Sequence, residues 1–207
     1  MAQLQQPGLP APSRPWWRRL WRRDRARPAQ RAAARQLYGR LVNQARSPIF
    51  YRDLGVPDTP EGRFEMIALH ACLVLRRLRA DGAAGQAIGQ ELFDLMFVDM
   101  DASLRELGVG DLSVGKYVKR LAGNLYARIA ALDHALAAAD PGTFEPLLRN
   151  VYHGAPAPSP DQLRALAGYL SAQDRQLATQ PAAALRAGEV SFGAVAISND
   201  GRPDRAL

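Results

Sequence analysis

The sequence predicts an all-α fold: a single-domain helical bundle of about six to seven helices behind an N-terminal tail. Three observations carry this. From Ala29 onward, apolar residues recur at i, i+3, i+4 spacing, the period of a helix face. Start and stop signals built on Pro, Gly, Ser and Thr separate these stretches. Period-two alternation, the mark of a half-buried strand, is confined to a weak run at residues 188–198.

The elements follow in order. Residues 1–28 read as a tail, because Pro7, Pro10, Pro12, Pro15 and Pro28 leave room for no helix longer than about three turns. A helical domain is expected over residues 29–187. Its first helix places Ala33, Leu37, Leu41 and Ala45 on one face and stops at Ser47-Pro48. Residues 49–58 read as an ordered loop. Thr59-Pro60-Glu61 is a helix start: an N-cap, a proline at the first helical position, and an acid at the positive end of the dipole. The helix it opens carries Phe64, Ile67, Ala68, Ala71, Leu75 and Leu78, places Arg76, Arg77 and Arg79 in its last turn, and stops at Asp81-Gly82.

A third helix runs from about Ala84 to Leu107, with Phe93, Met96, Phe97, Met100, Leu104 and Leu107 as its apolar stripe. Ordinary helical spacing makes that stripe core rather than groove. Ser113 caps a long fourth helix reaching about Ala139, with Val114, Val118, Leu121, Leu125, Ile129, Leu132 and Leu136 on one side. A short helix spans about Thr143 to His153. Residues 155–160 (Ala-Pro-Ala-Pro-Ser-Pro) form a stiff linker, and helices follow over about Asp161–Thr179 and Pro181–Ala187. Residues 188–207 are expected to be a C-terminal extended segment, as a short strand or a clasp, and a tail.

Composition bounds the function classes. The formal charge is +7, from 27 basic and 20 acidic residues, and Lys116 and Lys119 are the only lysines. Residues 1–35 hold nine arginines and one acid, Asp24, which is +8 and leaves 7 − 8 = −1 for the rest. A DNA-binding domain would carry its charge on the folded surface, so DNA is not an expected partner. Cys72 is the only cysteine, which excludes an intramolecular disulfide. The longest apolar run, Met66 to Leu75, is interrupted by His70 and is well short of the ~20 residues that span a bilayer. The expected protein is soluble or peripheral.

Candidate chemistry is sparse. Gly110-Asp-Leu-Ser-Val-Gly115-Lys116-Tyr117 approaches a phosphate-binding loop, but its last position needs a hydroxyl of Ser or Thr to hold magnesium, and a helix rather than a strand precedes it. A nucleotide hydrolase at residues 110–117 is therefore the weakest reading. His70, His134 and His153 fall on three different helices. Asp94, Asp99 and Asp101 read as a solvated face, with Asp101 pairing Arg105 at i, i+4, in preference to a cage for a hard metal. Cys72 reads as a buried structural thiol. No cofactor, metal site or catalytic group is expected.

The tail carries its own signal. Trp16-Trp17-Arg18-Arg19-Leu20-Trp21-Arg22-Arg23 holds all three tryptophans. Wound as a helix, Trp16, Trp17, Leu20 and Trp21 share one face, and Arg18, Arg19, Arg22 and Arg25 the other. Tryptophans at headgroup depth and arginines on anionic phosphates make a membrane-surface anchor the expected role, each cation contributing ~1 kcal/mol. The alternatives are a disordered tail whose Trp and Arg touch nothing specific, or one that binds RNA by stacking and charge. An Arg-rich, acid-poor targeting presequence has a similar composition.

Two stretches are more specific. Phe50-Tyr-Arg-Asp-Leu-Gly-Val-Pro-Asp-Thr-Pro-Glu-Gly-Arg-Phe-Glu-Met-Ile-Ala-Leu-His-Ala runs on to Leu75-Arg-Arg-Leu78. Glu91-Leu-Phe-Asp-Leu-Met-Phe-Val-Asp-Met-Asp-Ala-Ser-Leu-Arg-Glu-Leu-Gly-Val-Gly-Asp-Leu-Ser-Val-Gly-Lys-Tyr-Val-Lys119 follows it. Together they closely resemble the ubiquinol–cytochrome c chaperone family, with an α-proteobacterial character in the Ala/Arg-rich composition. The resemblance covers about residues 35–180 and leaves out the tail. It implies a helical, non-enzymatic assembly chaperone for respiratory complex III, with newly made cytochrome b as its client. It also implies a ribosome or a small assembly protein as further partners. The implied location is the cytoplasmic side of the inner membrane, peripheral to it, or the mitochondrial matrix in a eukaryote. The alternative is an RNA- or ribosome-associated module acting through the tail.

With the Phe/Met stripe assigned to the core, the polar face is the expected partner surface: Asp94, Asp99, Asp101 and Arg105, then Asp111, and the basic corner of Lys116, Lys119 and Arg120.

Overall fold

A computed structural model describes residues 28–106, 125, 127–138, 140–153 and 156–195. Among these, helices account for the regular structure. They are α1 (Pro28–Ala45), α2 (Pro48–Arg52), α3 (Pro60–Ala80), α4 (Gly82–Glu106), α5 (residues 127–138), α6 (Glu145–Leu148, after a 3-10 turn at Pro141–Phe144), α7 (Pro160–Thr179) and α8 (Ala182–Arg186). The expected all-α bundle is the fold observed.

The bundle is built around α3. Thr59 caps it, its hydroxyl accepting from the Gly62 amide at 3.1 Å, with Pro60 at the first helical position. Met66 through Val74 are buried without a break, so this stretch is covered on every side. That is why the longest apolar run of the chain lies here. The covering helices are α1, α4 and α7. Removing that surface from water supplies the main drive to fold, at roughly 25 cal/mol per Å².

Helix α1 buries Ala33, Ala34, Leu37, Leu41 and Ala45. The small residues let its backbone lie close to its neighbours, and it packs most extensively on α4. Arg31 pairs with Glu91 and Tyr38 bonds Asp99, so the two helices rise in the same sense. Helices α3 and α4 instead form a hairpin. Gly82 turns it at φ +66°, a left-handed conformation that L side chains rarely adopt. The predicted α4 stripe is core: Met96, Phe97 and Met100 are buried, and Phe93 lies 4.5 Å from the Phe97 ring.

Four boundaries differ from the sequence reading. The short helix expected over about Thr143 to His153 is the 3-10 turn at Pro141–Phe144 followed by α6, which ends at Leu148. Residues 49–58 were expected as loop, but Pro48–Arg52 is a helix. Phe50 is fully buried there and the Tyr51 hydroxyl donates to the Ala45 carbonyl at 2.8 Å, so the turn closes the end of α1. Helix α4 begins at Gly82, directly after the turn. Helix α7 begins at Pro160, because Ser159 and Gln162 form a capping box: Gln162 N donates to Ser159 Oγ (3.2 Å), and Ser159 N to Gln162 Oε1 (2.9 Å). Its acceptor residue lies inside the stretch read as linker.

Candidate protein-interaction surface

Polar side chains between the helices are engaged in holding them together. His70 is fully buried, and its Nδ1–H donates to the Met66 carbonyl at 2.7 Å. Its Nε2 accepts from the Tyr169 hydroxyl (2.8 Å), which in turn accepts from Gln44 Nε2 (3.0 Å). This chain spans α1, α3 and α7, and every member is satisfied by a neutral imidazole. Burial lowers the His70 pKa to about 4. The ring has no nitrogen left for a metal or a substrate. Burial likewise pushes the Cys72 thiol up to about 12, which makes it a poor nucleophile. The expectation of a structural thiol is met.

Charged pairs continue the pattern. Arg76 reaches Asp133 on α5 (3.2 Å) and Asp174 on α7 (3.0 Å), and Arg79 also pairs with Asp133 (2.7 Å). Arg77 donates to the carbonyls of Leu177 (3.0 Å) and Gln180 (2.8 Å). The cations expected to complement the end of their own helix therefore also bind across to α5 and satisfy the end of α7. Arg128 and Glu65 form a buried pair between α5 and α3, and burial raises the Glu65 carboxyl above its ordinary value. Glu65 Oε2 and Arg128 Nε and Nη1 have no hydrogen-bond partner. Such a pair is no strong source of stability, since desolvation offsets the attraction.

The outer face of α4 contrasts with this interior. Asp94, Val98, Asp101 and Arg105 recur at helical spacing on one side. Two bonds on this face run along the helix: Gln90 donates to Asp94 (2.7 Å), and Arg105 pairs with Asp101 (2.6 Å) at i, i+4, as the sequence predicted. Asp99 turns to α1 and accepts from the Tyr38 hydroxyl at 2.7 Å. Desolvation, then the bond to this carboxylate, raises the Tyr38 pKa. The structure thus brings Asp94, Asp101 and Arg105 together and sets Asp99 apart on the α1–α4 seam.

Between them Val98 is 67% exposed, the large hydrophobic side chain that stands out on the described surface. Sequence reasoning did not single it out. Its signal was an apolar residue lying off the Phe93/Met96/Phe97/Met100 stripe. Asp111, Lys116, Lys119 and Arg120 lie outside the described residues. So do Trp16, Trp17, Arg18, Arg19, Leu20, Trp21, Arg22 and Arg23, and residues 110–117. Among the described residues no group of three or more His, Cys, Asp or Glu could hold a metal ion, and no helix is long and apolar enough to cross a membrane.

Fold and surface together define an α-helical bundle with a solvent-facing, mixed polar and apolar face on its longest described helix. A sequence model of the ubiquinol-cytochrome C chaperone family matches residues 52–192, more than half of the chain, and the chain belongs to that family. It is 26% identical over 145 residues to mouse ubiquinol-cytochrome c reductase complex assembly factor 1, covering 70% of this chain. The chain spans about half the length of that curated relative (49%). The crystal structure of the Cbp3 homolog from Brucella abortus is similar in fold, with a TM-score of 0.72 and 38% identity, covering 81% of this chain and 92% of that one.

Proposed function

We propose that the protein is a non-enzymatic assembly chaperone for ubiquinol–cytochrome c reductase that binds cytochrome b, its membrane-embedded subunit, before the complex is complete. The observation that carries this reading is the family match over residues 52–192, joined to 38% identity with the Brucella homologue over 81% of the chain. The partner surface is the outer face of α4, with Asp94, Asp101 and Arg105 flanking Val98; Asp99, Asp111, Lys116, Lys119 and Arg120 are proposed as further partner contacts. Its support is the exposure of this face: Val98 is 67% exposed, and Asp101 and Arg105 meet in an i, i+4 pair at the surface. An exposed pair of this kind contributes only about 0.3–0.5 kcal/mol to the fold. Val98 offers apolar area at the centre of a polar rim, the usual anatomy of a protein interface.

The N-terminal Trp/Arg segment is proposed as a tether to anionic membrane, placing the chaperone beside its client. The test is co-purification of cytochrome b with tagged full-length protein from solubilised membranes, alongside complex III levels after gene deletion. Capture of cytochrome b and loss of complex III are expected; normal complex III in the deletion strain contradicts the reading. Liposome binding that is salt-sensitive and lost on replacing Trp16, Trp17 and Trp21 by Ala is expected of the tether. Retained binding in that variant, or salt-sensitive ribosome co-sedimentation in its place, contradicts it.

A further inference from the structure

The segment after α8 is held in an unusual way. Residues 189–195 run extended along α7 with no regular secondary structure. Their hydrogen bonds to α7 and its C-cap all end on glutamine side chains. Gln173 accepts from the Gly193 amide (2.8 Å) and donates to the Gly193 carbonyl (3.4 Å). Gln180 does the same one step earlier, accepting from the Ser191 amide (3.0 Å) and donating to the Ser191 carbonyl (2.8 Å). Gln176, between them, donates to the Ser191 carbonyl at 3.4 Å. Gln173 and Gln176 lie one turn apart on α7, and Gln180 is its C-cap. The row therefore imitates a strand edge, pairing both main-chain groups of alternate residues, as an added strand is paired at a sheet edge.

Between those two residues, Phe192 turns inward and meets the His70 ring edge-on at 5.3 Å. Beneath it His70, Phe50 and Tyr169 form a mutual ring cluster. A Cβ at Gly193 would meet Gln176 Oε1, the far end of a flexible side chain that can swing aside. The slot thus selects for backbone and for one aromatic side chain.

We propose that residues 189–195 are an internal occupant of this slot, and that an extended peptide of a partner protein, aromatic at one position, replaces them there. The segment is suited to exchange. Fixing a glutamine side chain costs rotamer freedom, which offsets much of what each amide pair contributes. The segment is also held by the buried Val190, by the bond from Arg40 to the Val190 carbonyl (3.4 Å) and by its tether, which supplies an effective concentration of order mM. An incoming peptide need only match it at comparable local concentration, as a bound client does. The inference stands whichever protein the client is.

The test uses the full chain and, as probe, a fluorescein-labelled peptide with the sequence of residues 188–195. Anisotropy titrations compare the wild type with Phe192→Ala, which empties the ring contact, and Ser191→Pro, which removes the amide that Gln180 accepts. Circular dichroism confirms that each is folded. Both variants are expected to bind the peptide at least tenfold more tightly than the wild type. Gln180→Ala in the Phe192→Ala background, or Ala in place of Phe in the peptide, is expected to abolish the gain. If Phe192→Ala does not fold, Ser191→Pro carries the comparison, since Ser191 is exposed. Folded variants that bind the peptide no better than the wild type overturn the proposal. So does their dimerisation in size-exclusion chromatography, which would assign the slot to a second copy of this chain.

Discussion

The α3 interior and the outer face of α4 use similar residue types to opposite ends. Around α3, polar side chains bridge three helices: Gln44 to Tyr169 to His70, and Arg76 to Asp133 and Asp174. On α4, Asp101 and Arg105 bond within one helix and leave Val98 exposed. A bridging group is lost only at the expense of the fold. A locally paired one can be changed with little effect on it. The difference teaches that substitutions on α4 can report binding almost free of stability, whereas those around α3 cannot.

The largest expected effect lies in the interior. Phe50→Ala removes a fully buried ring that touches both His70 and Tyr169 and is expected to cost about 3–5 kcal/mol in urea unfolding. A loss under 1 kcal/mol would show that α2 is not part of the core.

Next comes pH. His70 is held neutral, its pKa lowered from 6.5 to about 4 by burial. Below pH 6.5 the unfolded chain takes up a proton that the fold refuses, so stability is full above 6.5 and falls as pH drops. The loss is complete near pH 4 and amounts to about 3 kcal/mol from this group. Urea midpoints measured from pH 7 to pH 4 check it, and a flat profile would contradict the bonding pattern. Tyr169→Phe is expected to cost about 1–3 kcal/mol, since it leaves His70 Nε2 and the Gln44 amide without their shared partner. At the other extreme, Val98→Asp at its exposed site is expected to move stability by about 0.5 kcal/mol or less by the same unfolding assay. A larger effect would erase the contrast between the two regions.

Much of this was legible in the residues. The spacing of Ala33, Leu37, Leu41 and Ala45 predicted a buried face that is buried. The Asp101–Arg105 pair followed from its i, i+4 spacing. The stripe of Met96, Phe97 and Met100 is core, as ordinary periodicity implied. What was not legible depends on tertiary partners. Nothing in the order of residues announces that Tyr169 reaches His70, 99 positions away. The short helix at Pro48–Arg52 is too brief to show a period, and its burial of Phe50 exists only against α3 and α7. Residues 188–198 read as a short strand or an extended clasp, and over 189–195 no strand forms. The mode of attachment was not legible, because glutamines 173, 176 and 180 look like ordinary solvated side chains until a main chain lies across them. Of the predicted partner surface, Asp94, Asp101 and Arg105 meet on one face, while Asp99 is drawn to Tyr38 by a contact between helices that spacing does not encode.

The central claim is that the α4 face recognises the client while the α3 interior holds the fold. The most direct measurement is capture of newly made cytochrome b by tagged full-length protein, wild type against Asp101→Lys with Val98→Asp, with urea midpoints recorded for both. The account predicts at least a tenfold loss of captured cytochrome b with unfolding midpoints that nearly coincide. Undiminished capture by the folded double variant would contradict it.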